Sequence, residues 1–247
     1  MEVKMPAATQ PLAVIEFFLS LQGEGVHAGE VCAFVRLAGC NLACVWCDTT
    51  YSWKAGEMLP PERLGVAEVL ARVAALGAPR VEVTGGEPLL QRGTPALLAA
   101  LCDAGYAVTV NTSGSLSIAG LDPRVGVSLD LKCPGSGMHE QMDWTNIGRL
   151  RAAHDEVKFV VADRADYEWA RTVIAEHALT QRCPVTLSPV MPSGILDQLD
   201  DWPLAAQVAG WLIEDRLPAR LGLQLHRLLW PRAVRGSEEN RPAAVVG

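Results

Sequence analysis

Three cysteines on one short loop constrain this chain more than any other feature. Ala38-Gly-Cys-Asn-Leu-Ala-Cys-Val-Trp-Cys-Asp-Thr49 sets Cys40, Cys44 and Cys47 at a C-x3-C-x2-C spacing, directly after an apolar run, Val31 to Leu37, that reads as a buried strand. Thiolates this close on a loop can converge on one small object, either zinc or an iron–sulfur cluster. Structural zinc sites take four protein ligands, usually as two separated pairs, and no second pair is present. A cubane cluster held by three cysteines leaves one iron without a protein ligand, open to a substrate or cofactor. Softness and spacing favour the cluster. Cys32, Cys102, Cys133 and Cys183 are scattered and read as ordinary small buried residues.

A chain of 247 residues suits one domain with a sizeable core. The net charge of −7 argues against a nucleic-acid-binding surface. No apolar run approaches the roughly 20 residues of a membrane span. Met1 to Pro11 lacks the signal-peptide pattern, and seven cysteines is an odd number, so a reducing cytoplasm is expected rather than a disulfide framework. The expected organisation is a loose lead-in over 1–12, a single domain over 13–231, and a flexible extension over 232–247 rich in charge and small residues.

Strands are expected at Ala13 to Leu19, Val31 to Leu37, Arg80 to Thr84, Ala107 to Asn111, Val125 to Leu131, Glu156 to Val161 and Pro184 to Ser188, with a closing strand from Leu221 to His226. Helices are expected to open at Pro60-Pro61, with Val66, Val69, Leu70, Val73 and Leu76 on one face and Gly77 at the end. Others are expected with Thr94 as N-cap and Pro95 following, with Asp166 as cap, and from Pro203 to Arg216. Alternating strands and helices imply a mainly parallel sheet with right-handed crossovers. About six such strands plus edge pieces are too few for a closed eight-stranded barrel. The expected fold class is α/β, an open, partial barrel of (β/α)6 type, with ligand-binding motifs at the carboxyl ends of the strands.

Several residues carry chemical signals alongside plainer readings. Gln22-Gly-Glu-Gly25 is a turn whose glycines allow positive φ or close approach to a ligand, and also fits a plain hairpin corner. Arg36 lies in an apolar strand, where a guanidinium needs an anionic partner, either a ligand or a structural carboxylate. Thr84-Gly-Gly-Glu-Pro88 ends a strand with exposed backbone groups. Asp130 and Lys132 flank Leu131 in a pattern that suggests a half-exposed strand end with solvated charges. Thr49 has a hydroxyl suited to a hard cation or to capping the loop. The five histidines are far apart, with no His-x3-His pair and no Ser/His/Asp arrangement; His177 reads as a helix-terminal cation.

The cysteine spacing with Trp46 before the last thiol resembles the signature of the radical S-adenosylmethionine superfamily. The longer string Phe34 to Thr49, with Ser20-Leu-Gln-Gly-Glu-Gly25 upstream, resembles the 7-carboxy-7-deazaguanine synthase family within it, over about Val14 to Pro231. The resemblance implies a 4Fe-4S cluster on Cys40, Cys44 and Cys47, which with S-adenosylmethionine forms the catalytic centre. It implies cofactor contacts from Trp46, Cys47, Asp48, Gly86, Asp130, Leu131 and Lys132, and from Ser188, Pro189, Val190 and Met191 on the adenine side. Many family members carry a small polar residue and a proline where this chain has Asp130 and Leu131. Substrate contacts are implied for Leu21, Gln22, Gly23, Glu24, Arg36, Thr84 and Pro231, with magnesium supported by Thr49. His226 falls on the same carboxyl-terminal segment. Family chains commonly stop near Pro231, whereas this one continues for 16 residues, Arg232 to Gly247, which puts in doubt any role there for a free terminal carboxylate.

The implied activity is that of a radical lyase. It converts 6-carboxy-5,6,7,8-tetrahydropterin to 7-carboxy-7-deazaguanine with loss of ammonia, a step toward deazapurine nucleosides such as queuosine in tRNA. The implied partners are a flavodoxin- or ferredoxin-like electron donor and a second copy of the chain as a homodimer, with no direct nucleic acid and no membrane. Two competing readings share the cysteines. An activase of a glycyl radical enzyme has no use for Gln22-Gly-Glu-Gly25 or Arg36, and an electron-transfer iron–sulfur protein uses four cysteine ligands.

Overall fold

The computed structural model describes residues 10–152, 154–191 and 202–230. Nine strands form one sheet: β1 (Leu12–Leu21), β2 (Val31–Leu37), β3 (Glu62–Leu64), β4 (Arg80–Gly85), β5 (Ala107–Thr112), β6 (Gly126–Lys132), β7 (Glu156–Val161), β8 (Val185–Pro189) and β9 (Arg220–Leu221). The helices are α1 (Val66–Leu76), α2 (Thr94–Asp103), α3 (Arg164–Glu176), α4 (Pro203–Glu214) and the short α5 (Leu225–Leu229). Strand order is β3-β1-β2-β4-β5-β6-β7-β8-β9, so the sheet has two ends and does not close. β2 and β4 through β9 run parallel, while β1 is antiparallel to β2 and to β3.

Period-two alternation explains the layering. Val81, Val83, Val108, Val110, Val127, Leu129, Leu131, Val157, Phe159, Val161, Val185 and Leu187 point to one face and form a single core. That core also takes in Val69 and Val73 of α1, Leu97, Leu98 and Leu101 of α2, Val173 and Ile174 of α3, and Val208 and Leu212 of α4. The intervening residues on the other face are Glu82, Thr109, Ser128, Asp130, Glu156, Lys158, Thr186 and Ser188, all buried although polar. Parallel sheets covered by helices on both faces read as continuous apolar runs. This one alternates because its second face curls around a polar lumen.

The crossovers from β5 to β6 and from β6 to β7 contain no α-helix, and buried polar side chains hold them instead. Asn146 accepts from Ile118 N and donates to Gly114 O and Leu116 O. Asp155 accepts from Val127 N, from Arg151 N and from the Arg151 guanidinium. Asn146 thereby pins the second crossover to the first, and Asp155 pins it to β6.

The open, partial barrel is as expected, and four local details differ. Pro60-Pro61 leads into β3, not a helix, because Glu62 to Leu64 pair with Leu12 to Val14 and α1 starts after Gly65. Leu12 is consequently buried at the start of β1 and does not belong to a loose lead-in. The N-caps of two helices shift: Gly93 precedes α2 while Thr94 Oγ1 donates to Pro88 O, and Asp163 caps α3 by accepting from Asp166 N. The closing strand ends at Leu221. β9 reaches only Thr186 and Leu187, and Gln224 then begins α5, with Leu225, Leu228 and Leu229 at helical spacing. Gly77 and Gly105 end α1 and α2 at φ 69° and 90°, where a side chain would be strained. Leu129 lies in β6, between β5 and β7, with no exposed surface. Leu129→Ala is expected to destabilise the fold by about 2–5 kcal/mol, read as a lower denaturant midpoint at unchanged slope.

Candidate active site

The cysteine loop leaves the carboxyl end of β2 and packs on the end of β4 through two glycines. A side chain on Gly86 would collide with Gly39 O, and one on Gly85 with Leu37 O. This close approach lets Gly86 N donate to Leu37 O and Glu87 N to Gly39 O, so the Thr84-Gly-Gly-Glu-Pro88 turn and the cysteine loop form one unit. Glu87, fully buried, ties that unit to β5: its carboxylate accepts from Thr112 Oγ1, Ser113 N, Ser113 Oγ and Leu89 N.

Cys40, Cys44 and Cys47 are free thiols, each partly exposed. Burial pushes the Cys40 and Cys44 thiols up; Cys40 and Cys47 each couple electrostatically to Cys44, and Lys132 favours both the Cys40 and Cys44 thiolates. Trp53 Nε1 donates to Cys47 Sγ at 3.3 Å, Leu42 N to Cys40 Sγ at 3.4 Å, and Thr49 Oγ1 lies 3.7 Å from Cys47 Sγ. Among the described residues no three His, Cys, Asp or Glu side chains are placed to hold a single metal ion. Three soft thiolates on one loop are the donor type that an iron–sulfur cluster takes. The donor set fits a cluster, and loading it requires the thiols to release their protons.

At the amino end of the parallel strands, the turn between β1 and β2 reaches across the lumen. Gln22 N donates to Glu30 O and Gly29 N to Gln22 O, which closes the turn on itself. Its inner residues then grip the far strands. Lys158 Nζ on β7 donates to Glu24 Oε2 at 2.7 Å and lies 3.3 Å from Asp130 Oδ2 on β6, which also pairs with Lys132 Nζ at 3.0 Å. Val26 N donates to Glu156 Oε2, Gln224 Nε2 to Glu24 Oε1, and Leu225 N to Gly23 O. Both glycines are required: a side chain on Gly23 would meet His226 Nδ1, and one on Gly25, at φ 68°, would meet Glu156 Oε1. Burial opposes the Lys158 charge, yet Asp130 and then Glu24 hold it well above the usual lysine range. Burial likewise opposes the Asp130 and Glu24 charges, and Lys132 and Lys158 hold them below the usual carboxylate range.

The structure places some of the expected residues on the buried polar face of the sheet and gives several of them protein partners. Asp130 and Lys132 are buried partners and not solvated charges, because their strand end faces the lumen. The Arg36 guanidinium is already paired: Nε donates to Glu16 Oε1 at 2.6 Å, the Tyr51 hydroxyl donates to the same oxygen, and the Phe18 and Tyr51 rings flank it. The Gln22 side chain is committed to the turn, accepting from Glu24 N and donating to Glu82 Oε2. Leu21 ends β1, and Thr84 and Gly86 sit at the end of β4. Trp46 lies against Gly135, and Asp48 is exposed beside Cys47. Ser188 is buried at the end of β8 with Pro189, whereas the Val190 backbone is taken up by Val161 O and Trp202 Nε1, and Met191 packs beside Trp202. His226 is on α5 instead of a strand. Pro231 and the 232–247 extension lie outside the described residues.

Glu16, Glu82, Glu87 and Lys158 escaped the sequence reading. For Glu82 and Lys158 the signal was charge at alternate positions of an apolar strand, in Arg80-Val-Glu-Val-Thr84 and Glu156-Val-Lys-Phe159; Glu16 is the one charge in Leu12 to Leu21, and Glu87 lies in the Thr84-Gly-Gly-Glu-Pro88 turn. Among the described residues Asp130 Oδ1, Thr186 Oγ1 and Gln224 Oε1 are buried with no hydrogen-bond partner, so the lumen retains unused hydrogen-bonding capacity toward a ligand.

An open parallel sheet with a three-thiol loop at its carboxyl edge defines a class, and residues 35–130 match the model of the radical SAM superfamily. The crystal structure of QueE from Escherichia coli superposes with a TM-score of 0.70 over 87% of this chain and 95% of that one at 23% identity, a likeness of fold. The chain is 43% identical to 7-carboxy-7-deazaguanine synthase of Chlorobaculum tepidum over 92% of its own length and 97% of the relative's. It is 39% identical to that of Koribacter versatilis over 91% and 100%. The chain belongs to the 7-carboxy-7-deazaguanine synthase family, radical enzymes that carry a 4Fe-4S cluster and use S-adenosylmethionine.

Lys158 is the joint of the buried ion chain. Lys158→Met leaves Glu24 buried without its cation and Asp130 with Lys132 alone, and is expected to destabilise the protein by about 3–5 kcal/mol at neutral pH. Glu24 and Asp130 titrate below their ordinary 4.5 and 3.8, so their share of stability is full above those values and fades on acidification. The Lys158→Met deficit measured by urea unfolding therefore shrinks toward low pH.

Proposed function

We propose that this chain converts 6-carboxy-5,6,7,8-tetrahydropterin to 7-carboxy-7-deazaguanine with release of ammonia, on the way to deazapurine nucleosides. The observation that carries this reading is the placement of three free thiols at the carboxyl end of β2, at the mouth of a lumen whose far wall presents Asp130 and Lys132. Bound there, the cluster and S-adenosylmethionine supply one-electron cleavage and a carbon radical able to remove hydrogen from the substrate. The protein's task is to place two ligands face to face and to exclude water.

Cys40, Cys44 and Cys47 would hold the cluster. Trp46, Asp48, Gly86, Asp130, Leu131, Lys132 and the Ser188 to Met191 strand end would line the cofactor. The Gly85-Gly86 backbone lies against the cysteine loop, where a chelating amino acid group would sit. Leu21 to Glu24, Arg36, Thr84 and Pro231 would line the pterin. Gln22 serves chiefly by shaping the turn, since its side-chain carbonyl and its backbone groups are already bonded. Arg36, fixed by Glu16, presents its remaining N–H groups to a carboxylate without having to be ordered on binding. Thr49 would offer magnesium one oxygen, the rest coming from water and substrate.

An electron donor of the flavodoxin or ferredoxin type, a homodimeric assembly and a cytoplasmic setting complete the proposal. Among the described residues no helix is long and apolar enough to cross a membrane. The activase and electron-transfer readings are not favoured, because neither calls for the polar lumen behind the cysteine loop.

The decisive assay incubates anaerobically reconstituted protein with a reductant, S-adenosylmethionine and the pterin, read by mass spectrometry for deazaguanine and ammonia. Absence of both products overturns the reading. Cys44→Ala is expected to abolish the cluster absorbance after reconstitution; retention of the full spectrum would mean that another side chain completes the site. Chelating magnesium is expected to slow turnover about tenfold, and an unchanged rate removes the role given to Thr49.

A further inference from the structure

One buried group in the lumen is used by nothing above. Glu82 lies on β4 two residues before Thr84, 5% exposed, facing the turn between β1 and β2. Its Oε2 accepts from Gln22 Nε2, and the Gln22 carbonyl in turn accepts from Glu24 N, so the Glu82 carboxyl stands at the root of the turn that carries Glu24 to Lys158. The groups that face it are Glu24 from the turn, Glu156 and Lys158 from β7, and the Cys32 thiol from β2. Lys158, the one cation among them, is already shared between Glu24 and Asp130. Among the described residues Glu82 makes no ion pair. His226 touches this group only through Glu24, and Arg80 at the start of β4 is paired with Glu30.

We infer that Glu82 is a positioning residue for the substrate half of the site: uncharged, it anchors the Gln22 side chain and keeps the 22–25 turn seated against β7, and its ionisation unseats that turn. The inference rests on the reading of the turn as pterin-binding. The reasoning is one of charge count. Three carboxylates, Glu24, Glu82 and Glu156, share the floor of the lumen with a single ammonium. If all three are ionised, the mutual repulsion falls on the bonds that hold the turn, Glu24 to Lys158 and Val26 N to Glu156. Burial first, and then the Glu24 carboxylate, push Glu82 up to about 7 from 4.5. The folded protein therefore retains this proton at a pH where the unfolded chain has lost it. The stabilising effect is complete below the unfolded value and disappears as pH rises through about 7. Cys32, raised to about 12, stays a thiol throughout and adds no competing charge.

The experiment compares wild type with Glu82→Gln, a neutral isostere, and Glu82→Ala in the reductive assay from about pH 6 to about pH 8.5. The wild-type KM for the pterin is expected to climb about fivefold or more across this range while kcat at saturation and the Kd for S-adenosylmethionine change far less. Glu82→Gln is expected to show a KM that varies by less than about twofold over the same range. Glu82→Ala, which removes the anchor altogether, is expected to have a raised KM at every pH. A wild-type KM that is flat, or a Glu82→Gln profile that rises in parallel with it, overturns the inference. Infrared titration supplies a readout that does not depend on turnover: a protonated-carboxyl band that disappears near neutral pH in wild type and is missing from Glu82→Gln supports it, and no such band overturns it. Failure of the functional reading looks different, since the wild type would then make no deazaguanine while the band is still present.

Discussion

The chain of buried charges from Glu24 through Lys158 and Asp130 to Lys132 is the interaction on which the rest of the structure depends. An open sheet curled around a polar lumen does not complete itself by backbone pairing, because among the described residues β3 and β9 each keep one outer edge without a partner strand. Closure comes from side chains carried across the lumen on the turn between β1 and β2. Buried ion pairs are not in themselves a strong source of stability, and apolar residues of equal volume would often do as well. Their presence makes sense in a cavity that has to receive polar ligands, where an apolar filling would abolish the site. Surface pairs such as Lys54–Glu57 and Arg72–Glu62, by contrast, are screened by water and decide nothing about the architecture.

The lumen has two differently built ends. At the carboxyl end, glycine–backbone contacts and the Glu87 carboxylate lock the cysteine loop to β4 and β5, which gives the cluster ligands a rigid support. At the amino end, the 22–25 turn is held by charges and by one helix of five residues, α5. Two ligands meeting between these ends are thus gripped by elements of different character, one mainly backbone and one mainly electrostatic.

Much of this was legible in the sequence. The cysteine loop, six of the parallel strands and the helix end at Gly77 follow from spacing, period and glycine chemistry. What was not legible depends on which face of a strand is covered. Alternation in Val127-Ser-Leu-Asp-Leu131 reads equally well as a solvent-exposed face or as a cavity wall, so Asp130 passed for a surface charge until its opposite strands were placed. Arg36 announced a partner but not which one, since Glu16 reaches it only through the antiparallel pairing of β1 with β2. The missed β3 has the same cause: three residues after two prolines become a strand only because Leu12 to Val14 offer an unpaired edge. The end of the chain misled because Leu221 to His226 is apolar enough for a strand, and Gly222 with the bond from Leu225 N to Gly23 O turns it into a helix start.

The turn that bridges the lumen lies near the amino end of the chain, while its partners on β7 and ahead of α5 come 134 and 200 residues later. During synthesis those early carboxylates emerge long before any ammonium or amide is available to meet them. Contacts of such separation form late and slowly, because the intervening loop must be ordered first. The cavity is accordingly the last part of the molecule to mature, and a growing polypeptide displays a finished cysteine loop before it owns a chamber for that loop to serve.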